Sequence, residues 1–260
     1  MRIISFSADG IINAAENGFY DWLSEQDADF VCIQDLRCSE YDLQDSKFFP
    51  QDFNAYFLDD IDGKANGVAI YCRKLPKAIM SGLGFADFDM EGRYIQADYE
   101  NLSVGCLLAP SAEPGNAEQL ARKMTFYEQL GGHLQKVRNK RREFIICGNW
   151  HIAHTAADVQ DTERNSNAPG FLAEERQWMH FVRSIQTRMN SAGGRRATVA
   201  KTAGAQTSIL YPRACNILST MGPYTRARNS LPMPPSSWTT ISSCKALSGF
   251  TPPGQLSAWQ

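Results

Sequence analysis

At 260 residues with 26 Lys+Arg against 28 Asp+Glu, the chain has room for one large α/β domain or two small ones. No apolar run approaches the ~18 residues of a membrane-spanning helix, and the opening Met1-Arg2-Ile3-Ile4 reads as a strand rather than a signal peptide. The seven cysteines are scattered with no CxxC pair, which indicates neither a zinc knuckle nor a disulfide framework and suits a reducing cytoplasm.

In chain order, residues 2–6 predict a first strand. Residues 11–25 predict a helix, with Ile11, Ile12, Ala15, Phe19, Trp22 and Leu23 at helical spacing. Strands follow at 29–34, 67–72, 93–99, 103–108 and 143–147. A long helix is expected over about 117–137, with Leu120, Met124, Tyr127 and Leu130 on one face. A shorter one is expected from about 172 to 182, with Glu174 and Glu175 in its first turn, where the helix macrodipole favours anions. Buried strands mixed with amphipathic helices predict an α/β sandwich. The aromatic residues Phe19, Tyr20, Trp22 and Trp178 fall in helices and are expected in the core, as are the strand cysteines.

The character changes near Ser184. Seven of the 12 prolines lie beyond it, and the last acidic residue is Glu175, so residues 176–260 carry 10 Lys+Arg and no carboxylate side chain. A site built on carboxylates can draw none from the last third of the chain. The expected organisation is a domain over 1–183 and an irregular, poorly ordered tail over 184–260.

Five segments, in order, resemble the endonuclease/exonuclease/phosphatase superfamily, in particular its exonuclease III branch. They are Ser5-Phe6-Ser7-Ala8-Asp9-Gly10, Cys32-Ile33-Gln34-Asp35, Gly92-Arg93-Tyr94-Ile95-Gln96-Ala97-Asp98, Ile146-Cys147-Gly148-Asn149-Trp150-His151-Ile152 and the stretch from Gly170 to Met179. The resemblance covers about 1–183 and implies the N-terminal part of that family's sandwich. The family hydrolyses phosphodiesters with Mg²⁺, a hard cation that takes carboxylate oxygens. This chain departs from the family pattern at the positions that matter. Ser7 stands for Asn, Asp35 for the metal-binding Glu, Leu108 for Tyr, and Asn149 and His151 for the Asp and Asn of Gly-Asp-x-Asn. No active catalytic residue is therefore expected. Asp35 is the only metal candidate and His151 the only candidate general base, with Mg²⁺ required only if the chain is a nuclease after all. A metal pair of His151 and His154 is a weak signal.

The same substitutions, with Ser81-Gly82-Leu83-Gly84-Phe85 and Arg141-Arg142-Glu143-Phe144-Ile145, are similar to the catabolite repression control subgroup. That resemblance implies a translational repressor acting with the Hfq RNA chaperone on A-rich messenger RNA. The basic run Lys136, Arg138, Lys140, Arg141 and Arg142 offers phosphate contacts to RNA, or a solvated helix end that suits the macrodipole.

Read one frame over, the tail permits the family's missing closing motifs. Residues 190–195 allow Phe-Ser-Trp-Trp-Pro, 201–207 allow Asp-Gly-Trp-Arg-Thr-Asp, and 229–235 allow Phe-Ser-Ala-His-Ala-Pro. This points to a frame change, with a small deletion, just after Val182 or Arg183; the alternative is a genuinely basic tail.

Overall fold

The protein is described by a computed structural model covering residues 1–140, 142–159, 161–191, 208–209, 216–219 and 239–241. Two sheets pack face to face. Strand β1 (Ile3–Ser7) lies parallel to β2 (Phe30–Gln34), in register from Ile3 opposite Phe30 to Ser7 opposite Gln34. Strand β3 (Asn54–Leu58) is the edge, antiparallel to β4 (Val68–Cys72), which is itself antiparallel to β2. The second sheet begins at its edge with β5 (Ala78–Ser81), then β6 (Tyr94–Asp98), β7 (Leu102–Leu108) and β8 (Glu143–Asn149), the last two parallel.

Every residue of β2 and β4 is buried, because these strands lie inside their sheet and are covered on both faces. Alternate residues then serve different cores. Ile3, Cys32, Ile70, Ile95, Val104, Cys106, Ile145 and Cys147 fill the space between the sheets. On the outer face of the first sheet, Ile4, Phe6, Val31, Ile33 and Tyr71 pack under helices α1 (Ile11–Glu16) and α2 (Phe19–Ser24). On the outer face of the second, Tyr94, Leu107, Phe144 and Ile146 pack under α3 (Ala117–Arg138) and α4 (Ala173–Ser191). Helix α3 begins where the Asn116 side chain accepts from the Gln119 N–H at 3.0 Å, which satisfies one of its orphan donors.

The expected elements are present, with four differences. The helix over 11–25 is two short helices, broken at Gly18, whose φ of 83° is left-handed. Strands β3 and β5 carry no sequence signal because both are partly exposed edges without strict alternation. Helix α4 runs to Ser191, past the boundary expected at 183. Nine residues beyond it form three short strands: β9 (Ser208–Ile209), β10 (Asn216–Ser219) and β11 (Thr239–Ile241). β10 pairs parallel to β8 and antiparallel to β9, and β11 pairs antiparallel to β1. Without them β1 and β8 would each present a row of unpaired N–H and C=O groups, which a backbone ladder can satisfy with little demand on side chains. The rest of the expected tail lies outside the described residues.

Phe19 is buried, while Tyr20, Trp22 and Trp178 pack partly buried against the cores. Cys32, Cys38, Cys72, Cys106 and Cys147 are buried free thiols. Among the described residues no helix is long and apolar enough to cross a membrane.

Gly148, on the buried run of β8, leaves no space for a side chain, since a Cβ there would fall 2.0 Å from the Leu107 carbonyl oxygen. Gly148→Ala is expected to lower stability by about 1–3 kcal/mol through overpacking, measured by chemical denaturation.

Candidate functional site

The parallel pairs β1–β2 and β7–β8 bring their carboxyl ends to one rim of the sandwich. Ser7 lies opposite Gln34 there, and Leu108 opposite Asn149. Gln34 spans the two sheets. Its Nε2 donates to Cys106 Sγ at 3.1 Å, its Oε1 accepts from Ser5 Oγ at 3.3 Å, and the Cys106 thiol donates to the Ile33 carbonyl at 3.2 Å. The five family positions, Ser7, Asp35, Leu108, Asn149 and His151, therefore cluster at this rim although they are spread over 145 residues of sequence.

Asp35 follows β2 with a left-handed φ of 66°, and Arg37 follows with 51°. This tight path is held from behind. The Asp35 N–H donates to the Gly67 carbonyl at 2.9 Å and the Arg37 N–H to the Asn66 carbonyl at 2.9 Å. It turns the two side chains toward each other. Arg37 Nε donates to Asp35 Oδ1 at 3.0 Å and Nη2 meets Oδ2 at 2.9 Å, a two-pronged pair. The remaining Nη1 of Arg37 contacts the Asp9 carboxylate. Burial pushes the Asp35 carboxyl above its ordinary range; Arg37 pulls it back, Asp9 adds to the rise and Arg93 opposes it, leaving the net shift upward.

His151, also left-handed at φ 47°, is half-buried, and its backbone N–H donates to Asn149 Oδ1 at 3.1 Å. Its Nδ1 lies 2.8 Å from the Ala109 carbonyl oxygen, so the neutral ring carries its proton on Nδ1. Burial lowers its pKa to about 4; the bond to Ala109 opposes this, and the cations Lys123 and Arg93 add to it. At neutral pH His151 is uncharged and a weak base, which counts against the general-base role. His154 faces a different neighbour, its ring parallel to that of His180 with centroids 6.2 Å apart.

Two groups at this rim lie in or against family segments, but the sequence does not single them out as site residues. Arg93 is partly buried and pairs with Glu91 at 2.5 Å, reaches the Leu108 carbonyl at 3.4 Å, and acts electrostatically on both Asp35 and His151. Lys123 and Glu175 form a fully buried ion pair at 2.5 Å. Lys123 also donates to the His151 carbonyl at 2.8 Å, and Glu175 Oε2 accepts from the Gly170 and Leu172 N–H groups at 2.7 and 2.9 Å. Glu175 thus does more than favour the first turn of its helix, because helix α4 is set down directly on Lys123 of α3.

Mg²⁺ does not fit this donor set. Hard divalent ions need several oxygen ligands. Ser7, Leu108 and Asn149 supply no carboxylate, and the two carboxylates present, Asp35 and Asp9, are both paired with the Arg37 guanidinium. Among the described residues, no group of three or more His, Cys, Asp or Glu is arranged to hold a metal.

The basic run lies at the other end of the sandwich. Arg138 ends α3, and Arg142 immediately precedes β8, whose seven residues separate this run from the rim by about 20 Å. Lys136 and Lys140 are exposed, with Lys140 5.4 Å from the Phe144 ring centroid. Arg142 is committed to Asp98 at 2.9 Å and to Ser103 Oγ at 3.3 Å. Arg141 lies outside the described residues, and the Arg138 side chain is likewise not described. Twenty ångströms is about twice the screening length in physiological salt, so the two ends are electrostatically separate.

With this geometry, the chain belongs to the Endonuclease/Exonuclease/phosphatase family, whose profile matches residues 7–239. It is similar to an exodeoxyribonuclease of Bacillus subtilis, 27% identical over 180 residues, covering 68% of this chain and 69% of that protein. It is also similar to a DNA-(apurinic or apyrimidinic site) endonuclease of Dictyostelium discoideum, 25% identical over 68% of this chain and 48% of the relative. The chain thus spans about half the length of that relative. The fold resembles those of an AP endonuclease from Archaeoglobus fulgidus (TM-score 0.65, 20% identity, 82% of this chain and 85% of that one) and a 3'-5' exonuclease from Neisseria meningitidis (TM-score 0.65, 19% identity, 79% and 80%).

Two outcomes are expected at this site. Lys123→Met leaves the Glu175 carboxylate buried and unpaired and should lower stability by about 3–5 kcal/mol, whereas Lys123→Met with Glu175→Leu should recover most of the loss in a denaturation series. Because the folded pKa of His151 lies below its ordinary 6.5, the unfolded chain binds the proton first. Stability from this group is full above about pH 6.5 and falls as the pH drops toward 4. His151→Gln should flatten the Tm-versus-pH curve in that window, and an NMR titration of the wild-type ring should show its midpoint near 4.

Proposed function

We infer that this chain is a non-catalytic member of the nuclease family that regulates RNA rather than cleaving it. The observation that carries this reading is the Asp35 carboxylate closed by Arg37 beside Leu108 and Asn149, neither of which offers a carboxylate. A neutral, poorly basic His151 supports it. The further reading is a cytoplasmic repressor of the catabolite repression control type, acting with Hfq on A-rich messenger RNA. Its support is the pattern of substitutions at Ser7, Asp35, Leu108, Asn149 and His151. Exposed Lys136 and Lys140 at the far end offer RNA a phosphate-binding surface away from the rim.

A frame change after Val182 or Arg183 belongs to the same proposal and would impair the regulator. It is supported by the family motifs that the shifted frame permits, and sequencing the gene tests it: codons of 184–260 that do not spell those motifs refute it.

The second reading is a metal-dependent exonuclease III-like nuclease, favoured by the nuclease names of the relatives described above. Incubation with abasic and duplex DNA in Mg²⁺ separates the two. No product is expected; cleavage lost on Asp35→Ala establishes the nuclease. A mobility-shift assay with Hfq and an A-rich RNA should show a supershift with this protein, weakened several-fold by Lys136→Glu with Lys140→Glu and unaffected by Asp35→Ala.

A further inference from the structure

We propose that Arg37 is the resident cation of the rim, holding Asp9 and Asp35 together in place of a divalent metal and making the site independent of metal ions. This deepens the non-catalytic reading and rests on it.

The geometry is specific. Three of the five N–H groups of one guanidinium face two carboxylates that belong to different loops, one after β1 and one after β2. The Asp9 charge raises the cost of ionising Asp35, as like charges do at close range. A cation between them removes that cost. Arg37 is suited to the place because its planar fork matches a carboxylate in two bonds and never loses its proton. The backbone is bent to deliver it: Asp9, Asp35, Arg37 and Asn66 all hold left-handed φ values between 50° and 66°, a conformation that Asp and Asn tolerate and that is uncommon for Arg37. Behind them Gly67, at φ 86°, lies so near Leu36 that a Cβ would come within 2.9 Å of that side chain, so the loop has little room to relax. A metal entering this site would have to displace a charge-matched guanidinium that is bonded in two places to Asp35 and half exposed, and would gain no further carboxylate from Asn149, Leu108 or Ser7.

Mn²⁺ binding by the full chain tests this, read by electron paramagnetic resonance and by thermal unfolding in EDTA against millimolar Mn²⁺. Wild-type protein should bind no Mn²⁺ at the rim and show the same Tm in both buffers. Arg37→Met should lower the Tm in EDTA by about 2–4 °C, bind one Mn²⁺, and regain the lost Tm with it. Adding Asp35→Asn to that variant should abolish the Mn²⁺ response. A wild-type protein that binds one Mn²⁺ and loses it on Asp35→Asn overturns the proposal, as does an Arg37→Met protein blind to Mn²⁺. If Arg37→Met does not fold, the comparison of wild type with Asp35→Asn still decides, since equal indifference to Mn²⁺ is expected. Cleavage of nucleic acid in EDTA would refute the non-catalytic reading while leaving the assignment of Arg37 intact.

Discussion

The buried ion pair of Lys123 and Glu175 ties the site to the fold. Neither charge reaches water, so each must find its partners inside the protein. Glu175 finds three: Lys123 and the N–H groups of Gly170 and Leu172. Lys123 finds Glu175 and the carbonyl of His151. One pair thus fixes α4 against α3, anchors the turn into α4, and holds the loop that leaves β8 with His151 on it. The Tyr127 hydroxyl donates to the Trp150 carbonyl and the Trp178 ring nitrogen to the Tyr127 carbonyl at 2.8 Å, so the same corner is closed by aromatic side chains with satisfied polar ends. Burial pulls the Lys123 ammonium below its ordinary pKa, with Glu175 opposing, as expected where desolvation is only partly offset.

That scaffold does not need a catalytic metal. The three cores are made mostly of strand and helix side chains, and the space between the sheets is filled by aliphatic groups and cysteine thiols with Phe30, Tyr56 and Tyr99. A family member can therefore exchange the rim residues while the sandwich stays intact. The remaining requirement is electrostatic: each surviving charge near the rim must be matched. Arg37 matches Asp35 and Asp9, and Glu91 matches both Arg93 and Arg122. His151 meets the same requirement by staying neutral between two cations.

Much of the fold was legible because the central strands are uniformly apolar. Val31-Cys32-Ile33, Val68-Ala69-Ile70 and Phe144-Ile145-Ile146-Cys147 are unbroken runs that suit strands covered on both faces. The edges were not legible. Asn54–Leu58 and Ala78–Ser81 are strands because a neighbour offers hydrogen bonds, and their half-exposed side chains carry no period to detect. The split of the first helix at Asn17-Gly18 is local, yet Gly18 becomes a breaker only once Phe19 and Leu23 must reach the core.

The sequence by itself determined the family, the order of the central elements and the absence of carboxylates at Leu108, Asn149 and His151, because residue identity alone decides which oxygen ligands exist. Only the tertiary structure decided what the remaining charges do. Asp35 reads in sequence as a shortened metal ligand and is in the fold the partner of Arg37; Glu175 reads as a helix-start acid and is a buried counterion; the basic run has no set place relative to the site in sequence and stands about 20 Å from it. The reason is that charge pairing acts over a few ångströms between residues as far apart in sequence as Lys123 and Glu175, and those distances exist only after the sheets have packed.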